Sequence, residues 1–142
     1  MRLRGASEAS DPTDLAMTPI HLGHGGTASL IEGFAWDAAA LAEYQKITEG
    51  DGPDGRLVMI FVHSPSTPMP TWERHPAGDE VIVCLSGRLR IWQQRADRHR
   101  CVELGPGDAL LHPPAMWHRF ESLQRGRVLA ITAGRGSEHK PA

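Results

Sequence analysis

From Arg56 onward the sequence is a succession of short apolar or alternating segments, each ended by turn residues, and few folds accommodate such a pattern. Residues 57–62 form a continuous apolar run, whereas residues 88–93 alternate between polar and apolar side chains. Glycine and proline end these segments, as in residues 105–108. Strands separated by turn residues roughly every 8–12 positions are typical of an all-β sandwich or barrel.

The N-terminal part of the chain has a different character. Residues 1–18 are small and polar, and we expect a flexible tail there. Asp37 is a good N-cap for a helix that continues to about residue 48, the one convincing helix in the sequence. We therefore expect a single domain over residues 19–142, with an N-terminal arm and helix at 19–50 and the barrel at about 56–133.

The composition limits which binding partners and which cellular compartment are expected for the protein. The chain has 142 residues and a net charge of −2, which gives no general attraction to nucleic acid or to anionic membranes. We predict that its two cysteines, Cys84 and Cys101, are buried free thiols, as in a reducing compartment. The N-terminus lacks the apolar core of a secretion signal, and no apolar run reaches the ~20 residues that span a bilayer. These observations predict a soluble, cytoplasmic protein.

Histidine and carboxylate side chains are concentrated in one segment. Glu73 and His75 share a face if the chain is extended, and residues 76–79 then form a turn. Glu80 follows and opens an apolar run, where a carboxylate must be paired, solvated or bound to a cation. We predict a metal site here, with His118 as a further ligand. A shared cation requires the rings of His75 and His118 to lie within about 8 Å of each other.

The spacing of these residues resembles the first motif of the cupin family. That motif is His-x-His, three or four residues, Glu, six residues and Gly, and the chain has Glu73, His75, Glu80 and Gly87 at the corresponding positions. The sequence departs from the motif only at Glu73, which stands where histidine is usual.

The second cupin motif combines a glycine-rich turn, a proline and a histidine, and the chain has residues 105–108, Pro113 and His118 in that order. The resemblance covers about residues 56–133. It implies a double-stranded β-helix, also called a jelly-roll barrel, whose open mouth holds a metal and a small ligand. It also implies a homodimer, with the N-terminal arm either reaching a neighbouring subunit or pairing with an exposed sheet edge.

The nature of the ligands indicates which metal to expect. His75, Glu80 and His118 make a two-histidine, one-carboxylate face, which suits Fe(II) with open coordination positions. Glu73 can supply a fourth, anionic ligand, or it can instead pair with Arg74 or a neighbouring arginine. We expect Fe(II) or Mn(II), and then Zn(II). The alternative is that the metal has been lost and the residues serve only the fold.

Four other residues are candidates for the substrate-binding wall of the mouth. His112 lies on a strand leading to His118 and can contact a ligand or exchange protons, or it can be a core histidine. Trp92, Trp117 and Phe120 are large aromatic residues near the motifs, where they can line a pocket or simply fill the core.

The sequence leaves three functions open. The first is a metal-dependent oxygenase, isomerase or lyase acting on a small organic molecule, with catalytic residues that the sequence does not identify. The second is a non-catalytic cupin that binds or senses a small molecule. The third is a metal-free, sugar-nucleotide epimerase-like enzyme with His75 as base, which is disfavoured because the only tyrosine, Tyr44, lies on the helix.

Overall fold

The computed structural model describes residues 1–6 and 9–142 and places most of them in two antiparallel β-sheets. Seven strands form the larger sheet: β1 (Arg2–Gly5), β2 (Ile20–Leu22), β3 (Ala28–Glu32), β4 (Arg56–His63), β6 (Glu80–Cys84), β9 (Ala109–His112) and β11 (Gly126–Thr132). Five strands form the smaller sheet: β5 (Thr71–Arg74), β7 (Arg88–Gln94), β8 (His99–Leu104), β10 (His118–Gln124) and β12 (Glu138–Pro141). The orders are β1-β3-β2-β4-β11-β6-β9 and β12-β5-β10-β7-β8.

The two sheets share one hydrophobic core. Alternate residues of strands from both sheets supply it, because successive side chains of a strand point to opposite faces. Its buried members are Ile82, Cys84, Leu89, Ile91, Leu104, Phe120, Val128 and Ala130. The all-β fold predicted from the strand pattern is confirmed, and the two-sheet arrangement is consistent with a jelly roll.

The predicted helix is confirmed as α1 (Ala38–Ile47). The side chain of Asp37 accepts a hydrogen bond of 2.8 Å from the backbone N–H of Ala40, which satisfies a donor that has no partner inside the helix. Tyr44 is buried, but Ile47 is 44% exposed, so the buried face of the helix does not continue to its last residue. None of the helices in residues 1–6 and 9–142 is long and apolar enough to cross a membrane.

The arm and the helix are joined by a buried polar network. Nδ1 of His21 lies 2.8 Å from the hydroxyl of Tyr44, and Nε2 of His21 lies 2.8 Å from a carboxylate oxygen of Asp51. Short 3₁₀ segments at His24–Gly26 and Glu49–Asp54 flank this network. The arm is thus fixed to its own domain by hydrogen bonds.

Both chain ends differ from the expectation. Residues 2–5, predicted as part of a flexible tail over 1–18, form β1 and pair with β3 along its full length. Residues 7 and 8 of that predicted tail lie outside the described residues. The polar segment after Gly134, which lies beyond the predicted barrel of about 56–133, contains β12, which pairs with β5.

The two cysteines are both free thiols, but only one is buried. Cys84 lies in the core, whereas Cys101 of β8 is exposed, so the prediction of burial is wrong for Cys101. Cys101 stands opposite Trp92 in the strand register, on the outward face of the smaller sheet. An alternating strand fixes which residues share a face but not which face is buried.

Candidate metal centre

Strand pairing brings the four predicted ligands together. His118 of β10 stands directly opposite Glu73 of β5, and His75 follows two residues later on the same face. Glu80 enters from the larger sheet at the start of β6. One ligand atom from each of the four residues lies within 4.8 Å of the others. The ring centroids of His75 and His118 are 5.4 Å apart, well inside the 8 Å limit for a shared cation.

The imidazole Nε2 atoms point at the carboxylates. Nε2 of His75 lies 2.9 Å from Oε2 of Glu80, and Nε2 of His118 lies 3.0 Å from Oε1 of Glu80. Glu73 approaches from the more exposed side, with Oε1 at 3.4 Å from Nε2 of His118 and at 3.9 Å from Nε2 of His75. Two nitrogens and two carboxylates therefore surround one point.

The Nδ1 atoms of both rings are occupied elsewhere. The hydroxyl of Ser137 donates to the carbonyl of Gly134 at 3.0 Å, so it accepts from Nδ1 of His75 at 2.8 Å. Nδ1 of His118 donates to the carbonyl of Met116 at 3.0 Å. A proton on Nδ1 leaves Nε2 of the neutral ring with a lone pair, which is the form that binds metals.

The residues present fit a divalent cation. Nε2 of His75 and Nε2 of His118 are buried and have no hydrogen-bond partner among the described residues. Buried nitrogens without a partner are costly, and they are uncommon outside sites that hold a water or an ion. A divalent ion between these nitrogens and the carboxylates of Glu73 and Glu80 would satisfy both rings and balance both charges.

Glu80 is the fixed centre of the cluster. Its carboxylate is 2% exposed and accepts hydrogen bonds from Nδ1 of His112 at 3.1 Å and from the hydroxyl of Thr132 at 2.9 Å. Burial alone would raise the pKa of Glu80, but the adjacent imidazoles of His112, His118 and His75 outweigh it and hold the pKa well below its usual range. Glu80 is therefore an anion in the folded protein.

His118 has the opposite shift. Burial lowers its pKa, but the nearby carboxylates of Glu73 and Glu80 prevail and raise the pKa to about 10. In the metal-free protein His118 thus carries a proton between the two carboxylates. A metal ion would occupy the position of that proton, because both need the same lone pair on Nε2.

His112 and Phe120, two of the predicted substrate-binding residues, touch the cluster. The ring of His112 is 1% exposed and stacks on the ring of His118 at 4.0 Å, and burial lowers its pKa. Phe120 lies in the core with its ring edge-on to His118 at 5.6 Å. Both side chains support the ligands from within the core, and contact with a substrate stays a prediction for them.

The other two predicted substrate-binding residues, Trp92 and Trp117, lie away from the four predicted metal ligands. Trp92 sits between two buried residues of β7 and points outward, where its Nε1 donates to Glu121 at 3.1 Å. The ring of Trp117 lies 4.7 Å from the guanidinium of Arg74 and 4.4 Å from the ammonium of Lys140. Because Arg74 alternates with Glu73, these contacts put Trp117 on the face opposite the ligands.

Sequence reasoning missed two residues that contact the cluster. Ser137 holds His75, and Nε2 of His139 lies 3.5 Å from Oε2 of Glu73. In the strand register His139 stands opposite Glu73. The spacing of two between Ser137 and His139 is the only signal of a common face, and it is too short to indicate a strand in a polar segment.

Comparison with known proteins places this geometry in a family. The family model described as "Cupin domain" matches residues 59–133, just over half of the chain. Among proteins with curated descriptions, none matches the sequence.

Similar solved structures include Fe(II)-HppE with the alternative substrate (S)-1-HPP, at 14% identity over 54% of this chain and 42% of that chain, with a TM-score of 0.46. They also include hydroxypropylphosphonic acid epoxidase from S. wedmorenis, at 15% identity, 55% and 42% coverage and a TM-score of 0.43. A cupin superfamily protein from Desulfitobacterium hafniense DCB-2 has 22% identity, 54% and 65% coverage and a TM-score of 0.45. The match spans less than half the length of the first two of these chains.

The family match includes both segments that supply the ligands, from Glu73 to Gly87 and from residue 105 to His118. The strand pattern, the paired sheets and the sequence match therefore agree, and this chain belongs to the cupin family.

Proposed function

We propose that this cupin binds one divalent metal ion between His75, Glu80, His118 and Glu73, and that the metal presents a small organic molecule to the protein. The observation that carries the proposal is the convergence of four ligand atoms within 4.8 Å of one another, two of them buried Nε2 atoms on rings whose Nδ1 is anchored. Such rings are oriented as metal ligands before any metal arrives.

The donor set favours Fe(II) or Mn(II), followed by Zn(II). Two imidazoles and two carboxylates are hard to intermediate ligands and carry two negative charges, which a divalent ion neutralises. The three buried ligands are His75, Glu80 and His118, whereas the side chain of Glu73 is 27% exposed. Glu73 therefore borders the side from which a ligand would reach the metal.

An oxygenase, isomerase or lyase is the activity that we propose for such a site. When bound, the metal would supply Lewis-acid polarisation of a substrate oxygen. The chain's own residues would hold that ion in place: Thr132 and His112 fix the carboxylate of Glu80, and Met116 fixes the ring of His118. The metal-free epimerase alternative gains no support, because Tyr44 hydrogen bonds His21 in the arm–helix network.

Metal titration of the purified, metal-free protein tests the proposal. Isothermal titration with Mn(II), with Zn(II) and anaerobically with Fe(II) is expected to give about one equivalent bound for the wild type. His75→Ala and His118→Ala are each expected to abolish tight binding, because each removes a buried ligand.

His63→Ala is the matched control. His63 is also a buried histidine whose Nε2 has no partner among the described residues, but its Nδ1 bonds Ser122 and it lies outside the four-residue cluster. This variant is expected to bind metal like the wild type. Less than about a tenth of an equivalent of every metal in the wild type would contradict the proposal.

A further inference from the structure

The C-terminal strand β12 closes the edge of the smaller sheet beside the candidate metal site. Among the strands of the described residues it pairs with β5 only, with His139 opposite Glu73 and Lys140 opposite Trp72. It lies outside the region that matches the family model, which ends at residue 133. The contacts of β12 are therefore a property of this chain beyond the matched domain.

The inward side of this segment touches two of the four ligands. The hydroxyl of Ser137, which immediately precedes β12, accepts the Nδ1–H of His75 and donates to the carbonyl of Gly134. Nε2 of His139 lies 3.5 Å from Oε2 of Glu73, the oxygen that does not face His118. Ser137 fixes the ring of His75 while Nε2 of that ring stays available. The side chain of His139 is 53% exposed and borders Glu73 from the solvent side.

The other contacts of β12 lie at the surface. Glu138 pairs with Arg74 at 2.6 Å, and the ammonium of Lys140 donates to Gln94 at 2.9 Å. None of the four residues of β12 is buried. Exposed ion pairs contribute little, and an edge strand without buried side chains opens at low free-energy cost. Whether β12 stays docked therefore depends strongly on how well ordered its contact residues, His75 and Glu73, are.

We propose that Ser137 and His139 are positioning residues that couple the docking of β12 to metal binding. This inference rests on the proposed function, since it concerns the same ion. A metal that fixes His75 and Glu73 stabilises the two contacts, and the docked strand in turn holds both ligands in the metal-binding orientation. Such coupling is reciprocal, so each event strengthens the other by the same factor.

Binding of Co(II) to the full-length protein is the first test. Ser137→Ala and His139→Ala are each expected to weaken Co(II) affinity about 10–100-fold, the usual effect of removing a partner of a metal ligand. The visible absorption of bound Co(II), which reports ligand geometry, is expected to change in Ser137→Ala. Ser137→Thr keeps the hydroxyl and is expected to restore both the affinity and the spectrum.

Hydrogen exchange of the amides in residues 138–142 is the second test. Co(II) is expected to slow this exchange at least tenfold in the wild type, and this effect is expected to disappear in Ser137→Ala combined with His139→Ala. Glu138→Ala is the matched control on the outward face: it is expected to speed exchange equally with and without Co(II) and to leave the Co(II) spectrum unchanged.

Two results separate this inference from the proposed function. If the wild type binds Co(II) but both single variants bind it within twofold of the wild type, or if Co(II) leaves exchange in residues 138–142 unchanged, the coupling is refuted and the metal site stands. If the wild type binds neither Co(II) nor any of Mn(II), Zn(II) and Fe(II), both are refuted.

Discussion

The charge on Glu80 has almost no water to stabilise it, because the carboxylate is only 2% exposed. A buried charge persists only when hydrogen bonds or opposite charges compensate for the lost hydration. Thr132 and His112 each donate one hydrogen bond, and His75 and His118 face the two oxygens with Nε2. A divalent ion would add the remaining positive charge, so this residue links the core of the protein to its proposed function.

Replacing Thr132 with valine tests the support of Glu80. The two side chains have similar shapes, so Thr132→Val removes one hydrogen bond and leaves an oxygen of Glu80 less well satisfied. We expect metal affinity to fall by about tenfold, and the metal-free protein to lose about 1–3 kcal/mol of stability. Metal titration and urea denaturation measure the two effects. Thr132→Ser keeps the hydroxyl. If it lost as much metal affinity and stability as Thr132→Val, this explanation would be contradicted.

The raised pKa of His118 predicts how the metal-free protein responds to pH. The pKa of about 10 in the fold lies above the ordinary value of 6.5, so the ion pairs of His118 stabilise fully below about pH 6.5. This contribution is lost as the pH rises toward 10. We expect the free energy of unfolding of the metal-free protein to fall between pH 7 and 10, as measured by urea denaturation.

His118→Gln is the control, since it has no proton to lose in this range. The decrease in the free energy of unfolding between pH 7 and 10 is expected to be smaller in this variant. It is also expected to be smaller in the Mn(II)-loaded wild type, where the metal replaces the proton. Parallel curves for the wild type and His118→Gln would contradict the assignment of the proton to His118.

The turn between β6 and β7 shows how an element positions the ligands. Gly87 has a φ of +74°, a region that favours glycine, and a Cβ there would collide with the carbonyls of Gln124 and Arg125. The turn thus packs directly against the end of β10 and the start of β11. This close packing fixes β6, and with it Glu80, relative to the strand that carries His118.

Gly87→Ala is expected to destabilise the protein by more than about 2 kcal/mol, since it adds a steric collision to the backbone cost of a positive φ. Gly107→Ala is the matched control: Gly107 has a φ of +89°, but apart from its chain neighbours none of residues 1–6 and 9–142 has an atom within 4 Å of an added Cβ. It is expected to lose only about 1–2 kcal/mol. Equal losses in urea denaturation would show that crowding at the turn is unimportant.

Sequence patterns predicted those secondary-structure elements that are determined by residues close together in the chain. The continuous run in β4 and the N-cap at Asp37 each carry their own signal, and Glu73 to Gly87 has the spacing of a known motif. The first strand, β1, and the C-terminal strand, β12, carried no such signal, because their residues are mostly polar and their pairing partners are distant.

The sequence also did not predict which face of an alternating strand meets the core. The pattern of β7 indicates two faces but does not decide which one meets the core, and Trp92 lies on the outer one. For the same reason the burial of Cys101 could not be predicted from its own strand. The exposure of Trp92 and of Cys101 depends on which face of their strands contacts the other sheet. No local sequence pattern indicates that contact.

At the scale of the molecule, the candidate site joins the two sheets. Glu73 and His118 belong to the smaller sheet, and Glu80 belongs to the larger one. A metal bound by all three would cross-link the two halves of the fold, in addition to the hydrophobic core that they share. We therefore expect the metal to stabilise the whole domain.

Thermal unfolding measures this stabilisation. A metal at 100 times its dissociation constant adds about 2.7 kcal/mol, which corresponds to a rise in Tm of about 10 °C for a domain of this size. The rise is expected with Mn(II) in the wild type and to be absent in His118→Ala. An equal rise in both proteins would show that Mn(II) stabilises the fold from some other site.

The most direct test of the central claim is a crystal structure of the Mn(II)-loaded protein with anomalous diffraction data. We expect one strong anomalous peak about 2.0–2.3 Å from Nε2 of both His75 and His118 and from a carboxylate oxygen of Glu80. A fully loaded crystal with no peak between these three side chains, or with its only peak elsewhere, would contradict the claim.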